Sequence, residues 1–267
     1  LAHVLTASLI TSAFVIMGVS AWRIFKSLDG PATHRVLRTG ALIAVVATPT
    51  QLLLGDLHGL NTLEHQPAKI AAMEGIWQTG SGVPFTLFAL PNEQTRQNDF
   101  AVTIPKLGSL ILTHELDGEL QGLDDFSDQH PPVALVFWSF RVMVGMGMLM
   151  IVVAWWVGWS LWKNGPLSRL QLLVLSAMTF SGWVATLAGW WVTEVGRQPY
   201  IVHGLVRSSE VVAPHGSGVV LTTLLAYLLL YGLLLSAYVG AIRYLASKPA
   251  ASLVIDHFPE KMVGEAG

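Results

Sequence analysis

Two short stretches place an arginine close to a group that can bind a metal or carry a proton. Glu194 and Arg197 lie three residues apart in GWWVTEVGRQPY, a spacing that puts both on one face of a helix. Arg141 lies two residues before Met143 in SFRVMVGMGMLM. Carboxylate and thioether groups can ligate iron, and arginine pairs with acidic groups. Both stretches are therefore candidates for cofactor chemistry.

Each stretch also has an interpretation that requires no cofactor. A Glu–Arg pair at a membrane interface contributes under about 1 kcal/mol, with Trp190 and Trp191 as interfacial aromatic residues. The methionines that follow Arg141 can fill gaps between helices. Gly145 and Gly147 permit either close helix packing or the approach of a flat group. These residues alone leave both interpretations open.

Arg141 is the harder residue to explain by packing, because it lies inside a long apolar segment. A charged side chain there costs about 2.5–3.5 kcal/mol on insertion scales and so faces a partner or a wet cavity. A haem offers propionates as the anion, and its iron accepts a thioether. Arg141 and Met143 are separated by about 200° of rotation around a helix, so they point to nearly opposite sides and cannot contact the same atom.

Histidine and cysteine narrow the choice of cofactor. The chain has nine histidines and no cysteine, which excludes disulfides, thiolate metal sites and covalently attached haem. Only His3 falls at a segment that can span a membrane. The others are predicted to lie in loops or tails: His34, His58, His65, His114, His130, His203, His215 and His257. This count excludes a bis-histidine cytochrome b, and a single His at a helix end is also typical of a structural residue.

The composition indicates which elements must position these residues. Of the 267 residues, 52% are hydrophobic and 12% are charged, against roughly 25% charged in soluble domains. Five segments are apolar and long enough to span a bilayer: Val4 to Trp22, Thr39 to Gly55, Val133 to Trp162, Leu170 to Thr193, and Ser217 to Ile242. We therefore predict an all-α, polytopic membrane helix bundle with five transmembrane helices. Pro49 predicts a kink in the second.

The distribution of charge predicts the orientation and the domains. Lysines and arginines cluster in loops 23–38 and 163–169 and in the tail after residue 242, which places these parts in the cytoplasm. Segment 56–130 has eleven acidic and three basic residues and is predicted to lie outside. The predicted parts are helices one and two (1–55), an outside loop (56–130), helices three to five (131–246) and a cytoplasmic tail (247–267).

The outside loop is predicted to be ordered. PAKIAAMEGIWQ (67–78) favours a short amphipathic helix with proline in its first turn, and VPFTLFALP (83–91) is too apolar for a flexible linker. We expect a lid that lies on the membrane surface. Lys69 and Glu74, within the helix, are by themselves ordinary charges of an exposed surface.

Three stretches resemble subunit I of the cytochrome bd-type quinol oxidases, a family that includes the cyanide-insensitive oxidases. GWWVTEVGRQPY is similar to the family motif G-W-x-x-x-E-x-G-R-Q-P-[WY], and FWSFRVMVGMG to its F-R-[VI]-M segment. KIAAMEGIW resembles the K-x-A-A-x-E element of the quinol-binding loop, called the Q-loop. The three occur in the family's order, and the resemblance covers nearly the whole chain.

The resemblance implies a haem and a quinol site near the outer face. His3 and Met143 would be the axial ligands of the low-spin haem b, and Arg141 would support that haem electrostatically. Lys69 and Glu74 would bind and oxidise the quinol, either ubiquinol or menaquinol.

It also implies a second haem at the end of the fourth segment. Glu194 would be the axial ligand of the high-spin haem b, with Trp190 beside it and Arg197 near a propionate. Gln198 shares their helical face. A third group, haem d or another haem b, would be shared with helices absent from this sequence.

The implied function is that of a respiratory terminal oxidase subunit in the bacterial inner membrane. Quinol would release its protons outside, and oxygen reduction would take protons from inside, without pumping. The implied partners are subunit II, small single-helix subunits and the lipid bilayer, with no nucleic acid.

The sequence begins Leu-Ala-His without methionine, and four helices of the family's subunit I are absent. We therefore expect the chain to be part of a larger subunit and, alone, unable to reduce oxygen. One alternative is a haem-binding electron-transfer or scaffold subunit. The other is a transporter, which requires inverted repeats or broken helices; no repeat is evident.

Overall fold

The computed structural model describes residues 1–126, 130–212 and 215–248. The described part contains eight α-helices: α1 (Ala2–Phe25), α2 (Pro31–His65), α3 (Pro67–Glu74), α4 (Leu107–Thr113), α5 (Val133–Trp162), α6 (Arg169–Ala177), α7 (Ser181–Val195) and α8 (Ser217–Ser247). Helices α1, α2, α5 and α8, and the segment Arg169–Val195 that contains α6 and α7, are long and apolar enough to cross a membrane. The predicted five-helix membrane fold is confirmed. Nearly all of the predicted cytoplasmic tail, from residue 249 onward, lies outside the described residues.

Three small antiparallel sheets occur in the connections between these helices. They are formed by six strands: β1 (Gly80–Ser81), β2 (Phe85–Asn92), β3 (Gln97–Ile104), β4 (Glu119–Leu120), β5 (Tyr200–Val202) and β6 (Val206–Arg207). β1 pairs with β4, β2 with β3, and β5 with β6. The apolar stretch VPFTLFALP is ordered, as expected, because most of it forms β2.

Helix α2 is longer than the predicted second span. It runs for 35 residues and includes Pro49 without ending there. His34, His58 and His65 therefore lie in a helix, and their prediction as loop residues was wrong. Helix α2 ends at His65. Gln66 follows it, and Pro67 begins the next helix.

The fourth span is interrupted, although the sequence predicts one continuous helix over Leu170 to Thr193. A short 3-10 turn, Met178–Phe180, separates α6 from α7. The Thr179 hydroxyl donates a hydrogen bond to the Ser176 carbonyl at 2.7 Å. Such local side-chain bonds compete with the helical pattern, which gives a physical reason for the break.

The chain divides into two compact units. Of the described residues, unit 1 contains those within 1–11, 44–154 and 180–212, and unit 2 contains those within 12–43, 155–179 and 215–248. Unit 1 has a buried apolar core built from α3, the start of α5, the end of α7 and the long connection: Ile70, Ala71, Ala72, Met73, Ile76, Trp77, Leu112, Leu120, Leu123, Val133, Val136 and Val192.

Helix α3 lies inside that core and is not the amphipathic surface helix predicted from the sequence. Six of its eight residues are buried: Ala68, Ile70, Ala71, Ala72, Met73 and Glu74. The helix also ends earlier than predicted, because Gly75 adopts the left-handed conformation, with φ 68°. Glycine accommodates that conformation without steric cost.

The β2–β3 hairpin is joined to the start of α5. Its turn is closed by the Asn92 carboxamide oxygen, which accepts from the backbone N–H groups of Gln94 and Thr95 at 3.1 and 3.2 Å. The next side chain, Glu93, accepts from the backbone N–H of Val133 at 2.8 Å. A carboxylate at the N-terminus of a helix satisfies an unpaired N–H and complements the helix dipole.

Unit 2 contains both loops that the sequence predicts to be cytoplasmic. Within it, buried Arg23 donates 2.8 Å hydrogen bonds to the carbonyls of Leu28, Ala246 and Lys248. This guanidinium ties the end of α1 to the end of α8. The cytoplasmic orientation itself stays a prediction.

Candidate functional site

Arg141 is the centre of a buried polar cluster in unit 1. Its guanidinium donates to the Glu74 carboxylate at 2.8 Å and to the Thr86 carbonyl at 3.0 and 2.6 Å, and it also donates to the Met73 carbonyl. It lies 3.9 Å from the centroid of the Phe137 ring, a favourable cation–π arrangement. One side chain on α5 thus holds both α3 and β2.

The anion that Arg141 requires is therefore the carboxylate of Glu74, from the same chain. Their side chains are only 9% and 7% exposed. Burial raises the pKa of Glu74, and the nearby positive charge of Arg141 opposes that rise. A buried carboxyl whose pKa is raised can exchange a proton closer to neutral pH than an ordinary glutamate.

Lys69 lies at the other side of α3, beside the end of α7. Its ammonium donates to the Thr193 carbonyl at 3.4 Å, and its methylene chain packs against Gly196, where an added Cβ would be 2.9 Å from Lys69 Cε. Burial lowers the pKa of Lys69; Arg197 lowers it further, and Glu194 opposes the change.

The structure does not bring Lys69 and Glu74 together. Five residues of α-helix correspond to about 500° of rotation, so their side chains leave the helix about 140° apart. Lys69 contacts the end of α7, whereas Glu74 contacts α5. The two predicted quinol residues therefore face different helices, and α3 joins them.

The end of α7 contains the predicted pair of Glu194 and Arg197. Their side chains form an ion pair and are 46% and 36% exposed. Trp190, one turn earlier, is 58% exposed, and the Gln198 carboxamide oxygen accepts from the Ser208 hydroxyl at 2.8 Å. This end of α7 thus presents a carboxylate, a cation and an aromatic ring on an accessible surface.

His3 lies in the first turn of α1 and packs against α2. The side-chain amide nitrogen of Gln51 is 3.2 Å from each of its ring nitrogens. The ring is next to the backbone of Gly55, where an added Cβ would be 3.5 Å from Cε1 of His3. His58 meets the ring edge-on, with centroids 5.5 Å apart.

Met143 packs against α7. A Cβ added to Gly189 would lie 2.8 Å from the Met143 sulfur, so a larger residue there would require the flexible thioether side chain to shift. At Gly145 and Gly147, an added Cβ would have no described atom within 4 Å. This part of α5 leaves open space beside its backbone.

The chemical types of these residues suit haem. An imidazole and a thioether are usual ligands of haem iron, the Glu194 carboxylate offers an oxygen ligand elsewhere in the same unit, and Gly145 and Gly147 near Met143 leave room for a flat group. The carboxamide oxygen of Gln51, beside His3, is buried and bonds to no residue described here. Residues 1–126, 130–212 and 215–248 contain no cluster of three His, Asp or Glu that could hold a free metal ion.

Sequence reasoning did not single out Gln51 or the pairing of Arg141 with Glu74. Gln51, Gly55 and His58 follow one another at helical spacing, and this pattern could have indicated a shared face of α2. No local pattern indicates the pair of Arg141 and Glu74, because 67 residues separate them.

The family model described as "Cytochrome bd terminal oxidase subunit I" matches residues 1–250. The chain belongs to this family. The match covers the segments that contain all nine predicted site residues, and the family predicted from the sequence is confirmed.

Curated relatives and a solved structure agree with this assignment. The chain is 30% identical over 248 residues to "Cytochrome bd ubiquinol oxidase subunit 1" of Bacillus subtilis (strain 168), covering 87% of this chain and 52% of that protein. It is 26% identical to "Cytochrome bd-II ubiquinol oxidase subunit 1" of Escherichia coli (strain K12), covering 89% and 59%.

The bd oxidase from Geobacillus thermodenitrificans has the same fold. A chain of that structure matches with a TM-score of 0.79 and 31% identity, covering 91% of this chain and 56% of the other. The present chain thus spans little more than half the length of these relatives, which fits its expected correspondence to the C-terminal part of subunit I.

Replacing Arg141 by methionine tests the buried cluster. We expect Arg141→Met to destabilise the protein by about 3–5 kcal/mol, because the Glu74 carboxylate is left buried without its partner. The double variant Arg141→Met/Glu74→Leu should recover part of the lost stability, because it also removes the unpaired carboxylate. Thermal unfolding in detergent measures both effects.

The matched control is Arg96→Met, in the exposed Arg96–Asp124 pair of the same loop, which should cost under about 1 kcal/mol. Equal losses for Arg141→Met and Arg96→Met would contradict the importance of the buried pair.

Proposed function

We propose that this chain is the quinol-oxidising part of a bd-type respiratory oxidase in the bacterial inner membrane. The observation that carries the proposal is the position of α3, a buried helix whose Lys69 contacts the end of α7 and whose Glu74 contacts α5. α7 contains the candidate haem ligand Glu194, and α5 contains Met143. A quinol bound at α3 would be close to both candidate haem positions.

Lys69 and Glu74 have complementary roles in this proposal. Oxidation of a quinol releases two electrons and two protons, so the site requires a group that accepts protons. Glu74 suits that role, because burial raises its pKa toward the range where a general base works. Lys69 is a hydrogen-bond donor that can bind an oxygen of the quinol ring.

The haems would be held by residues of three helices. His3 and Met143 would ligate the low-spin haem b, and Glu194 would ligate the high-spin haem b beside Trp190. Bound haem b supplies a one-electron acceptor.

The arginines and Gln198 would orient the haem edges. Arg197 pairs with Glu194 in this structure and would be close to an acidic arm of that haem. Arg141 would act on the low-spin haem by charge, since its hydrogen bonds go to Glu74 and two carbonyls. Gln198 would hold the segment after α7 through Ser208.

The whole oxidase would require more than this chain. Protons from quinol would be released outside, and oxygen reduction at a haem d or third haem b would consume protons from inside, so that charge separates without pumping. Subunit II and small single-helix subunits are the proposed partners.

Replacing Lys69 by alanine tests the quinol role. In the assembled oxidase, we expect Lys69→Ala to lower quinol-dependent oxygen consumption by about tenfold or more, equivalent to about 1.4 kcal/mol. The reduced-minus-oxidised haem spectrum should be unchanged, because Lys69 ligates no iron. Lys106→Ala is the control, since Lys106 forms an exposed pair with Asp117 in the same loop. Full turnover in Lys69→Ala would remove this residue from the site.

A pH profile tests Glu74 as the proton acceptor. The carboxylate form of Glu74 predominates above its raised pKa, so quinol turnover should rise as pH increases through that value. Glu74→Gln should be slow and lack this rise, whereas Glu115→Gln, at an exposed position of the same loop, should retain it. An unchanged profile in Glu74→Gln would exclude the role.

Spectroscopy tests the haem ligands. We expect His3→Ala and Met143→Leu to abolish the low-spin haem b signal of the assembled oxidase, because an apolar side chain cannot complete the coordination of iron. Met148→Leu, at an exposed position of α5, is the matched control and should retain the signal. Glu194→Ala should instead affect the other haems first. An unaltered spectrum in His3→Ala would refute that ligand, and a complex with no haem bands would favour the transporter alternative.

A further inference from the structure

The ring of His3 packs against one face of α2. Gln51 places its amide nitrogen 3.2 Å from both ring nitrogens, and the ring lies next to Gly55, where an added Cβ would be 3.5 Å from Cε1. His58 makes an edge-on contact with the same ring at 71°. Positions 51, 55 and 58 recur at helical spacing, so a single helix face makes all three contacts.

Gln51 has one polar atom that this arrangement leaves unsatisfied. Its carboxamide oxygen is buried and accepts no hydrogen bond from the residues that the structure describes. A buried acceptor without a donor is unfavourable, so a donor close to this amide would be stabilising. Rotating the terminal amide by 180° exchanges its two ends, because this torsion is broad and roughly two-fold. The oxygen then takes the position next to the imidazole.

An iron-bound imidazole provides such a donor. A histidine that binds a metal through one ring nitrogen almost always donates the N–H of the other to a nearby carbonyl or carboxylate. We infer that Gln51 is a positioning residue for His3, whose carboxamide oxygen accepts the hydrogen bond from the second ring nitrogen and holds the imidazole in its ligating orientation. This inference rests on the proposed role of His3 as a haem ligand.

The hydrogen bond has a consequence beyond orientation. An acceptor on the second nitrogen makes the imidazole a more basic ligand, which favours ferric over ferrous iron. Removing the acceptor should therefore raise the reduction potential of the low-spin haem, and a stronger acceptor should lower it. A residue that only fills space would change the potential in neither direction.

A redox titration of the low-spin haem band in the assembled oxidase tests the inference. Gln51→Leu removes the acceptor, and we expect about a tenfold change in the one-electron equilibrium toward ferrous haem, a rise of about 59 mV. Gln51→Glu keeps the shape of the side chain and supplies a carboxylate, and it should shift the potential downward. Thr50→Val, at an exposed neighbouring position of α2, is the control and should leave the potential unchanged.

The outcomes separate this inference from the proposed function. If His3→Ala retains the low-spin haem, the ligand assignment fails and the inference fails with it. If His3→Ala loses that haem while both Gln51 variants titrate like the wild type, only the role of Gln51 is overturned. Should Gln51→Leu fail to assemble, Gln51→Glu decides alone: a downward shift supports the hydrogen bond, and no shift or an upward shift overturns it.

Discussion

The contacts of the Arg141 guanidinium organise the part of the molecule that contains the candidate site. A charge in so buried a position requires compensation from several groups at once, since one ion pair rarely offsets the loss of hydration. The planar guanidinium has five donors in a fixed geometry, and here they reach a carboxylate and two backbone carbonyls. Those acceptors belong to α3 and β2, so satisfying the charge on α5 also fixes both elements of the long connection.

The position of α3 follows from this cluster and from the apolar core around it. With Glu74 held by Arg141 and with Ile70 and Met73 buried, the helix has little freedom to rotate. Lys69 is then directed to the end of α7, where Gly196 leaves room for its methylene chain. A short buried helix thus connects two membrane helices through charged side chains on different faces.

Glycines determine how closely the membrane helices approach one another. A Cβ on Gly182 would lie 2.6 Å from the Thr11 Cα, and one on Gly189 would lie 2.8 Å from the Met143 sulfur. Small residues of this kind are usual where membrane helices meet, since close packing replaces the hydrophobic drive that lipid removes. By contrast, Gly145 and Gly147 leave space beside α5, and the same residue type serves a contact in one place and an opening in the other.

The sequence alone determined the five membrane helices, the chemical types of the site residues, the family, and the pair of Glu194 and Arg197, because helical periodicity and spacing are local properties. Tertiary structure alone decided that Arg141 pairs with Glu74, which is 67 residues away in the sequence. It also decided that Gln51 contacts His3, which is 48 residues away in the sequence, and that α3 is buried. The buried state of α3 could not be read from its own residues, because an eight-residue helix has the same alternation of apolar and charged side chains on a surface as between two other helices. Which of these environments it occupies depends on the free energy of long-range contacts, and no local pattern encodes it.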